Sequence, residues 1–359
     1  MRAPNDLSPV AFEAIAGFDR DGLDDALATF RRTAQCLLSG AEAQRQACPA
    51  PAGLIAAAQA SLAGEGSGDV FFRRWFQPFR LRGPGFVTAY YEPEVAARRF
   101  PEAGFQTPVL SRPPDLVTLN DAPLVTARGE TLTSARRNAD GALAPYPDRR
   151  AICEDGAATG ATPIAFVRDA VELFLMQVQG SARLRLPDGD VIALTYAGRN
   201  GWPYTSIGKL MIARNMVAPE KMSLALLKST LRDLGPIGER LMHENQSYVF
   251  FQHDETPDRR LGPIGGAGCA LTPLRSIAVD RSIWCYGLPF WISTQVPWER
   301  AAATGLERLM IAQDTGSAIL GAARADLFFG AGDDAGARAG SVRHDADFIV
   351  FLPRDQAAS

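Results

Sequence analysis

Phe86-Val87-Thr88-Ala89-Tyr90-Tyr91-Glu92-Pro93-Glu94-Val95 decides how the fold is read. Its β-branched and aromatic residues mark a strand, and Pro93, which lacks a ladder donor, pushes that strand to an edge or a bulge. The β-character fades by Phe105 and resumes only at Ser247-Tyr248-Val249-Phe250-Phe251. From there the chain reads as nearly all strand, with Gly-rich punctuation at 262–268 and 330–340. A β-unit begun near residue 80, broken at about 105 and resumed near 247 is most simply one barrel carrying an insertion. The expected class is mainly β with an α+β insertion. Its expected parts are a helical N-terminal segment over 1–78, a barrel domain over 79–105 plus 247–359, and an inserted domain over 106–246.

The flanks fit that scheme. Ser8 with Pro9 behind it predicts a helix start, and Leu23, Ala26, Leu27 and Phe30 recur at helical spacing until Gly40 can end the run. Within the insertion, Pro108, Pro113, Pro114, Pro145 and Pro147 predict an irregular surface passage, and an apolar run over 170–178 follows. Leu184-Arg185-Leu186 and Val191-Ile192-Ala193-Leu194 flank Pro187-Asp188-Gly189-Asp190, a hairpin signal. Pro203 and Pro219 each stand where a helix start tolerates proline, which predicts two helices packed on the hairpin.

Near the C-terminus, Leu309-Met310-Ile311-Ala312-Gln313-Asp314-Thr315-Gly316-Ser317 delivers one carboxylate from an apolar run into a turn of small residues. Desolvation disfavours the charged form of a carboxyl, as a general acid working near neutrality requires, so Asp314 is the first catalytic candidate. Asp-Thr-Gly also spells an aspartic-protease signature, but that mechanism needs two carboxylates sharing a proton and no second such motif occurs in 359 residues. The bland alternative is that Asp314 caps a turn.

With 47% apolar and 21% charged residues the chain has material for a sizeable core, and disorder is not expected to dominate. A net charge of -3 and scattered arginine pairs exclude a nucleic-acid footprint. No apolar run is long enough to span a membrane, and residues 1–18 lack a basic stretch followed by an apolar one. Cys36, Cys48, Cys153, Cys269 and Cys285 form no Cys-x-x-Cys pair and have three histidines for company, which argues against zinc. Isolated thiols are expected, with a Cys36–Cys48 disulfide as the alternative.

Tyr196 through Lys209 concentrates glycines, aromatics and amides ahead of a helix, a mixture suited to a sugar: flat rings meet pyranose faces and amides fix hydroxyls. The alternative is a loop shaped by glycine over a core filled by aromatics. With this stretch, Thr88–Glu94, Phe174–Ser181, Val279–Ser282, Ala312–Ile319 and Arg324–Gly330 together resemble the family of membrane-bound lytic murein transglycosylase A. The resemblance covers roughly residues 70–353 and implies a double-psi β-barrel interrupted by a smaller domain, with a glycan strand in the groove between them. It departs from the family at Ala89 and Ala182, where glycine is usual, so the local backbone is expected to differ there.

The resemblance implies Asp314 as catalytic acid and base, with Asp326 and Asp280 as further barrel carboxylates. Those two would either act on Asp314 by like-charge repulsion or stabilise a cationic transition state, or else serve as structural carboxylates. It implies substrate contacts from Thr88, Tyr90 and Glu92 on the barrel side and from Gln179, Ser181, Asn200, Tyr204 and Lys209 on the inserted side. The implied reaction cleaves the β-1,4 bond between N-acetylmuramic acid and N-acetylglucosamine and closes a 1,6-anhydro ring, with no metal or organic cofactor. Implied partners are peptidoglycan strands and complexes that build or degrade the cell wall, in the periplasm and in association with the outer membrane. An inverting glycoside hydrolase with Asp326 as base, or a non-catalytic glycan-binding module, are the competing readings.

Overall fold

A computed structural model describes residues 7–40, 42–64, 66–119, 123–154, 156, 160–254, 258, 260–299 and 302–354. Two compact units are present: one takes the chain up to Tyr91 and again from residue 256 onward, and the other takes residues 92–255.

Six strands close the first unit into a β-barrel. Around the barrel run Arg343–Pro353, Pro289–Val296, Thr304–Asp314, Ser276–Val279, Arg324–Ala331 and Gly85–Glu92, and the last pairs again with the first. Closure removes exposed strand edges. The pairing of Ser276–Val279 with Thr304–Asp314 is parallel, whereas the pairings of Pro289–Val296 with both of its neighbours are antiparallel. Thr304–Asp314 is long and buried along most of its second half, because a barrel strand sheathed by a helix is apolar on both faces. That helix is Leu23–Leu38, whose buried Leu23, Ala26, Leu27 and Phe30 join the barrel core with Trp284, Phe290 and Leu309.

The expected boundaries need three corrections. Ser8 does not cap a helix: Leu7–Pro9 is an edge strand on Phe76–Leu81, where Pro9 costs no interior ladder bond. Phe76–Leu81 pairs with Arg343–Pro353, so the N-terminal segment is continuous with the barrel's sheet and shares its core rather than standing apart as 1–78. The strands Glu94–Arg98 and Val249–His253 belong to the sheet of the second unit, which moves the edges of the insertion from 106 and 246 to 92 and 255. Pro93 is the reason for the first shift: it interrupts the ladder after Glu92 and lets the chain leave one sheet for another.

The second unit is built on a six-stranded sheet ordered Val249–His253, Val191–Arg199, Ser181–Arg185, Glu94–Arg98, Pro163–Val167, Thr107–Leu110. The Ser181–Arg185 and Val191–Arg199 hairpin turns at Gly189, whose φ of 89° only glycine adopts without strain. Helix Ala170–Gln179 starts at Asp169, which accepts from the Glu172 N–H at 2.8 Å, and ends at a left-handed Gly180. Three helices, Ile207–Ala213, Leu224–Asp233 and Pro236–His243, stand where two were expected, and Pro203 starts none of them: the first begins only after Ser206, which caps it. The Gly-rich stretch near 335 is likewise a helix, Gly332–Ala339, and not a turn.

Ala89 and Ala182 sit in strands, and neither has a positive φ, so the conformational freedom of glycine is not used at either site. All five cysteines are free thiols: Cys36 Sγ donates to the Gly268 carbonyl and Cys48 Sγ to that of Ser282, at 3.4 and 3.2 Å.

Candidate active site

Asp314 is the last residue of its strand, and a register shift re-aims it. Ile277 pairs with Ala312, yet the next residue, Ala278, pairs with Asp314, so one residue is bulged out of the parallel ladder. On its other side Ala278 pairs with Asp326. Residues in register share a face, so one alanine sets two carboxylates from two different strands side by side.

The neighbours of Asp314 hold its backbone from both sides. Gln313 is fully buried and donates through Nε2 to Thr33 Oγ1 at 2.8 Å, while Thr315 Oγ1 donates to the Val279 carbonyl at 2.9 Å. The carboxyl itself accepts two hydrogen bonds: Gly266 N–H to Oδ1 at 2.8 Å and Tyr90 Oη to Oδ2 at 2.9 Å. These donors differ in kind. An amide N–H can only donate, whereas a phenol can donate or accept. Oδ1 therefore faces a group that can only donate, whereas Oδ2 faces one that can donate or accept.

Gly266 must be glycine for this contact. A Cβ there would lie 2.5 Å from Tyr286 Oη and 3.3 Å from Asp314 Oδ1. The Tyr286 hydroxyl is buried and has no hydrogen-bond partner among the described residues. Burial first and Asp314 second push the phenols of Tyr90 and Tyr286 up, so both keep their protons.

Asp326 accepts from Thr88 Oγ1, which in turn accepts from Arg324 Nη2 at 2.7 Å. Burial pushes the Asp326 carboxyl up to about 6, against the pull of Thr88 and Arg324 and with the help of the charge on Asp314. Asp280 differs. Its Oδ1 accepts from the Ser282 N–H and hydroxyl at 3.0 and 2.6 Å, and its Oδ2 from the Gly321 N–H at 2.7 Å. Burial would raise its carboxyl, but these three donors hold it below the usual carboxylate range, as in a turn-capping residue.

The other expected contacts divide by accessibility. Glu92 is buried and bonded to Arg183 Nε at 2.7 Å, which withdraws it from any ligand; burial pushes it up to about 7 in spite of the arginine. Asn200 is also withdrawn. Its Nδ2 donates to the Pro147 and Gln246 carbonyls and its Oδ1 accepts from the Tyr248 N–H, all at 2.9 Å, so the amide ties three segments together and, being fully buried, is closed to a sugar. Ser181 is buried in the hairpin ladder opposite Thr195. Tyr204 and Lys209 are exposed, and Gln179 is half-buried at a helix end.

Tyr286 carries no local sequence signal, and neither does Arg45, whose Nη1 donates to the Thr315 carbonyl at 3.0 Å. Gly266 was foreshadowed only by the Gly-rich run in which it sits, and Arg324 only as the first residue of a stretch that carries the family resemblance. Among the described residues no group of acidic, histidine or cysteine side chains could hold a metal ion, and no helix is long and apolar enough to cross a membrane.

Comparison with known proteins follows the same division. Residues 86–252 match the MltA specific insert domain and residues 275–352 match the 3D domain. The membrane-bound lytic murein transglycosylase A of Vibrio cholerae is 32% identical over 270 residues, 73% of this chain and 64% of that protein. That of Escherichia coli K12 is 30% identical over 262 residues, covering 72% of this chain and 62% of that protein. The chain thus aligns with slightly less than two thirds of these relatives. A crystal structure of a membrane-bound lytic murein transglycosylase from Agrobacterium tumefaciens superposes with a TM-score of 0.87 at 34% identity, over 97% of this chain and 98% of that one. MltA from Neisseria gonorrhoeae superposes at 0.79 with 27% identity, over 98% and 93%. With the barrel, the insertion and both matched domains in agreement, the chain belongs to the membrane-bound lytic murein transglycosylase A family.

Proposed function

We propose that the protein is a lytic transglycosylase acting on peptidoglycan, with Asp314 as its single acid and base. The observation that carries the reading is the asymmetric hold on the Asp314 carboxyl: an amide fixes Oδ1, and a phenol that can donate or accept faces Oδ2. Protonated Oδ2 gives its proton to the glycosidic oxygen between N-acetylmuramic acid and N-acetylglucosamine, and the bond from that oxygen to the anomeric carbon breaks. The 6-hydroxyl of the same muramoyl residue then attacks the anomeric carbon, its proton passes to Oδ2, and a 1,6-anhydro ring closes. The carboxyl ends as it began, and no water, metal or second base is consumed. An intramolecular hydroxyl held in the right ring shape competes well with solvent, since pre-paid orientation is worth up to about 7–11 kcal/mol.

Asp326 enters as an electrostatic neighbour. Ionising near pH 6, it places negative charge beside the carbon where positive charge develops. Asp280 serves as the turn cap that follows the strand Ser276–Val279. Tyr204, Lys209 and Gln179 are proposed as glycan contacts of the inserted unit, with Thr88 and Tyr90 as those of the barrel unit. Peptidoglycan as substrate implies a periplasmic location.

Reaction in ¹⁸O-labelled water tests this. Anhydro ends without label, lighter by one water than hydrolysed ends, are expected by mass spectrometry of digested sacculi. Label at C1 on reducing N-acetylmuramic acid overturns it in favour of a hydrolase.

A further inference from the structure

A carboxyl that gives a proton at one moment and takes one back at the next works only if it stays in place between the two steps. Oδ1 of Asp314 is held by the amide of Gly266, which lies on a separate loop, so the alignment depends on whatever fixes that loop to the end of the Asp314 strand. The Gly266–Gln313 side of this junction has one backbone bond, from Ala267 N–H to the Gln313 carbonyl at 3.0 Å. A second tie comes from a distant part of the chain. Arg45 donates its own backbone N–H to the Gly266 carbonyl at 3.1 Å, and its Nη1 to the Thr315 carbonyl at 3.0 Å. One residue thus grips the loop that supplies the amide and the residue that follows the carboxylate.

Arg45 is itself anchored. Three residues on, Cys48 N–H donates to the Arg281 carbonyl at 3.0 Å, Cys48 Sγ donates to the Ser282 carbonyl, and Arg281 Nη1 donates to the Gln46 carbonyl at 2.8 Å. The strap over 45–48 therefore runs from the Asp314 turn to the Asp280 turn, and it lies outside both matched domains. Burial pushes the Tyr90 and Tyr286 phenols up, and the charge of Arg45 opposes that push at both, which sets the guanidinium near the two hydroxyls that flank Asp314.

We propose that Arg45 is a positioning residue for Asp314, clipping the Gly266 loop to Thr315 so that Oδ1 stays pinned and Oδ2 alone exchanges protons. This role rests on the acid–base function proposed above. Displacing a reacting group by about 1 Å costs on the order of 100-fold, so Arg45→Ala is expected to lower kcat about 10- to 100-fold on sacculi. KM should stay within about twofold, because Arg45 is not required to touch the glycan, and the fold should persist because Ala keeps the backbone N–H. Arg45→Lys, which retains one donor and the charge, should recover part of kcat. Guanidinium chloride added at sub-denaturing concentration should restore part of the Arg45→Ala rate, a response that a merely structural defect would not give.

An unchanged kcat in Arg45→Ala, or a kcat loss that neither lysine nor guanidinium repairs and that tracks the unfolded fraction by circular dichroism, overturns the proposal while wild type still releases anhydro ends. A wild type that releases none overturns the function reading, and with it the role of Arg45.

Discussion

Asn200 in the inserted unit and Asp314 in the barrel unit both stand just past or at the end of a strand, and both read as site residues in the sequence. The Asn200 amide is fully buried and spends three of its four hydrogen-bonding positions on backbone: two carbonyls accept from it and one N–H donates to it. The Asp314 carboxyl accepts from one amide and one phenol that can donate or accept, the asymmetry on which the proposed acid–base role rests. Glu92 and Asp326 repeat the contrast. Both are carboxyls raised by burial, but Glu92 is bonded directly to the Arg183 guanidinium, whereas Asp326 is bonded to the Thr88 hydroxyl and feels the charge of Asp314. What separates structure from chemistry here is how completely a polar group's valences are satisfied, not the residue type or its burial.

The strongest way to break that contrast is Asp314→Asn. The amide is nearly isosteric but cannot donate and then accept the proton, so cleavage of sacculi should fall at least about 10²- to 10⁴-fold with the melting temperature little changed. Retained activity would mean that another group does the acid–base work.

Asn200→Ala should show the opposite pattern. Removing the amide leaves the Tyr248 N–H and two carbonyls without their partner in a buried setting, where each orphan costs roughly 1–3 kcal/mol. The midpoint of denaturant unfolding should drop by the equivalent of about 3 kcal/mol, with the rate per folded molecule preserved. A loss of glycan binding without loss of stability would return Asn200 to the site.

A smaller effect sharpens the comparison at Asp326. Its folded carboxyl titrates at about 6 against an ordinary value of about 3.9, so the folded state holds the proton more tightly than the unfolded chain. The wild type should therefore lose stability as pH rises from 4 to 6, with the full penalty present above about 6. Asp326→Asn lacks this penalty. Its melting temperature should match wild type near pH 4 and exceed it near pH 7.5 by the equivalent of about 1–2 kcal/mol, read by scanning calorimetry. Activity should fall in the same variant. A parallel pH dependence in both proteins would assign the charge elsewhere.

Much was legible along the chain. The β-branched content over 86–92 marked the first barrel strand, since a side-chain period of two is a local property, but the return of β-pattern at 247 belongs to the inserted sheet, and the barrel resumes only with Ser276–Val279. The apolar run into Asp314-Thr315-Gly316 singled out the central carboxylate for the same reason. Helix Leu23–Leu38 followed from its three-to-four spacing, but Leu7–Pro9 did not, because an edge strand of three residues has too little sequence for a period and takes its conformation from the partner strand.

The rest belonged to tertiary structure. No window of sequence contains the shift between Ile277 and Ala278 that sets Asp314 and Asp326 on either side of one alanine, because register and strand order depend on pairings between distant residues. The same holds for Gly266, Arg45, Tyr286 and Arg324, each brought to the site by a different part of the chain. Satisfaction is equally non-local: Asn200 reads as a sugar-binding amide until Pro147, Gln246 and Tyr248 close around it. Periodicity is written residue by residue and survives in the sequence alone, whereas the number of partners a polar atom finds is decided only when remote segments meet.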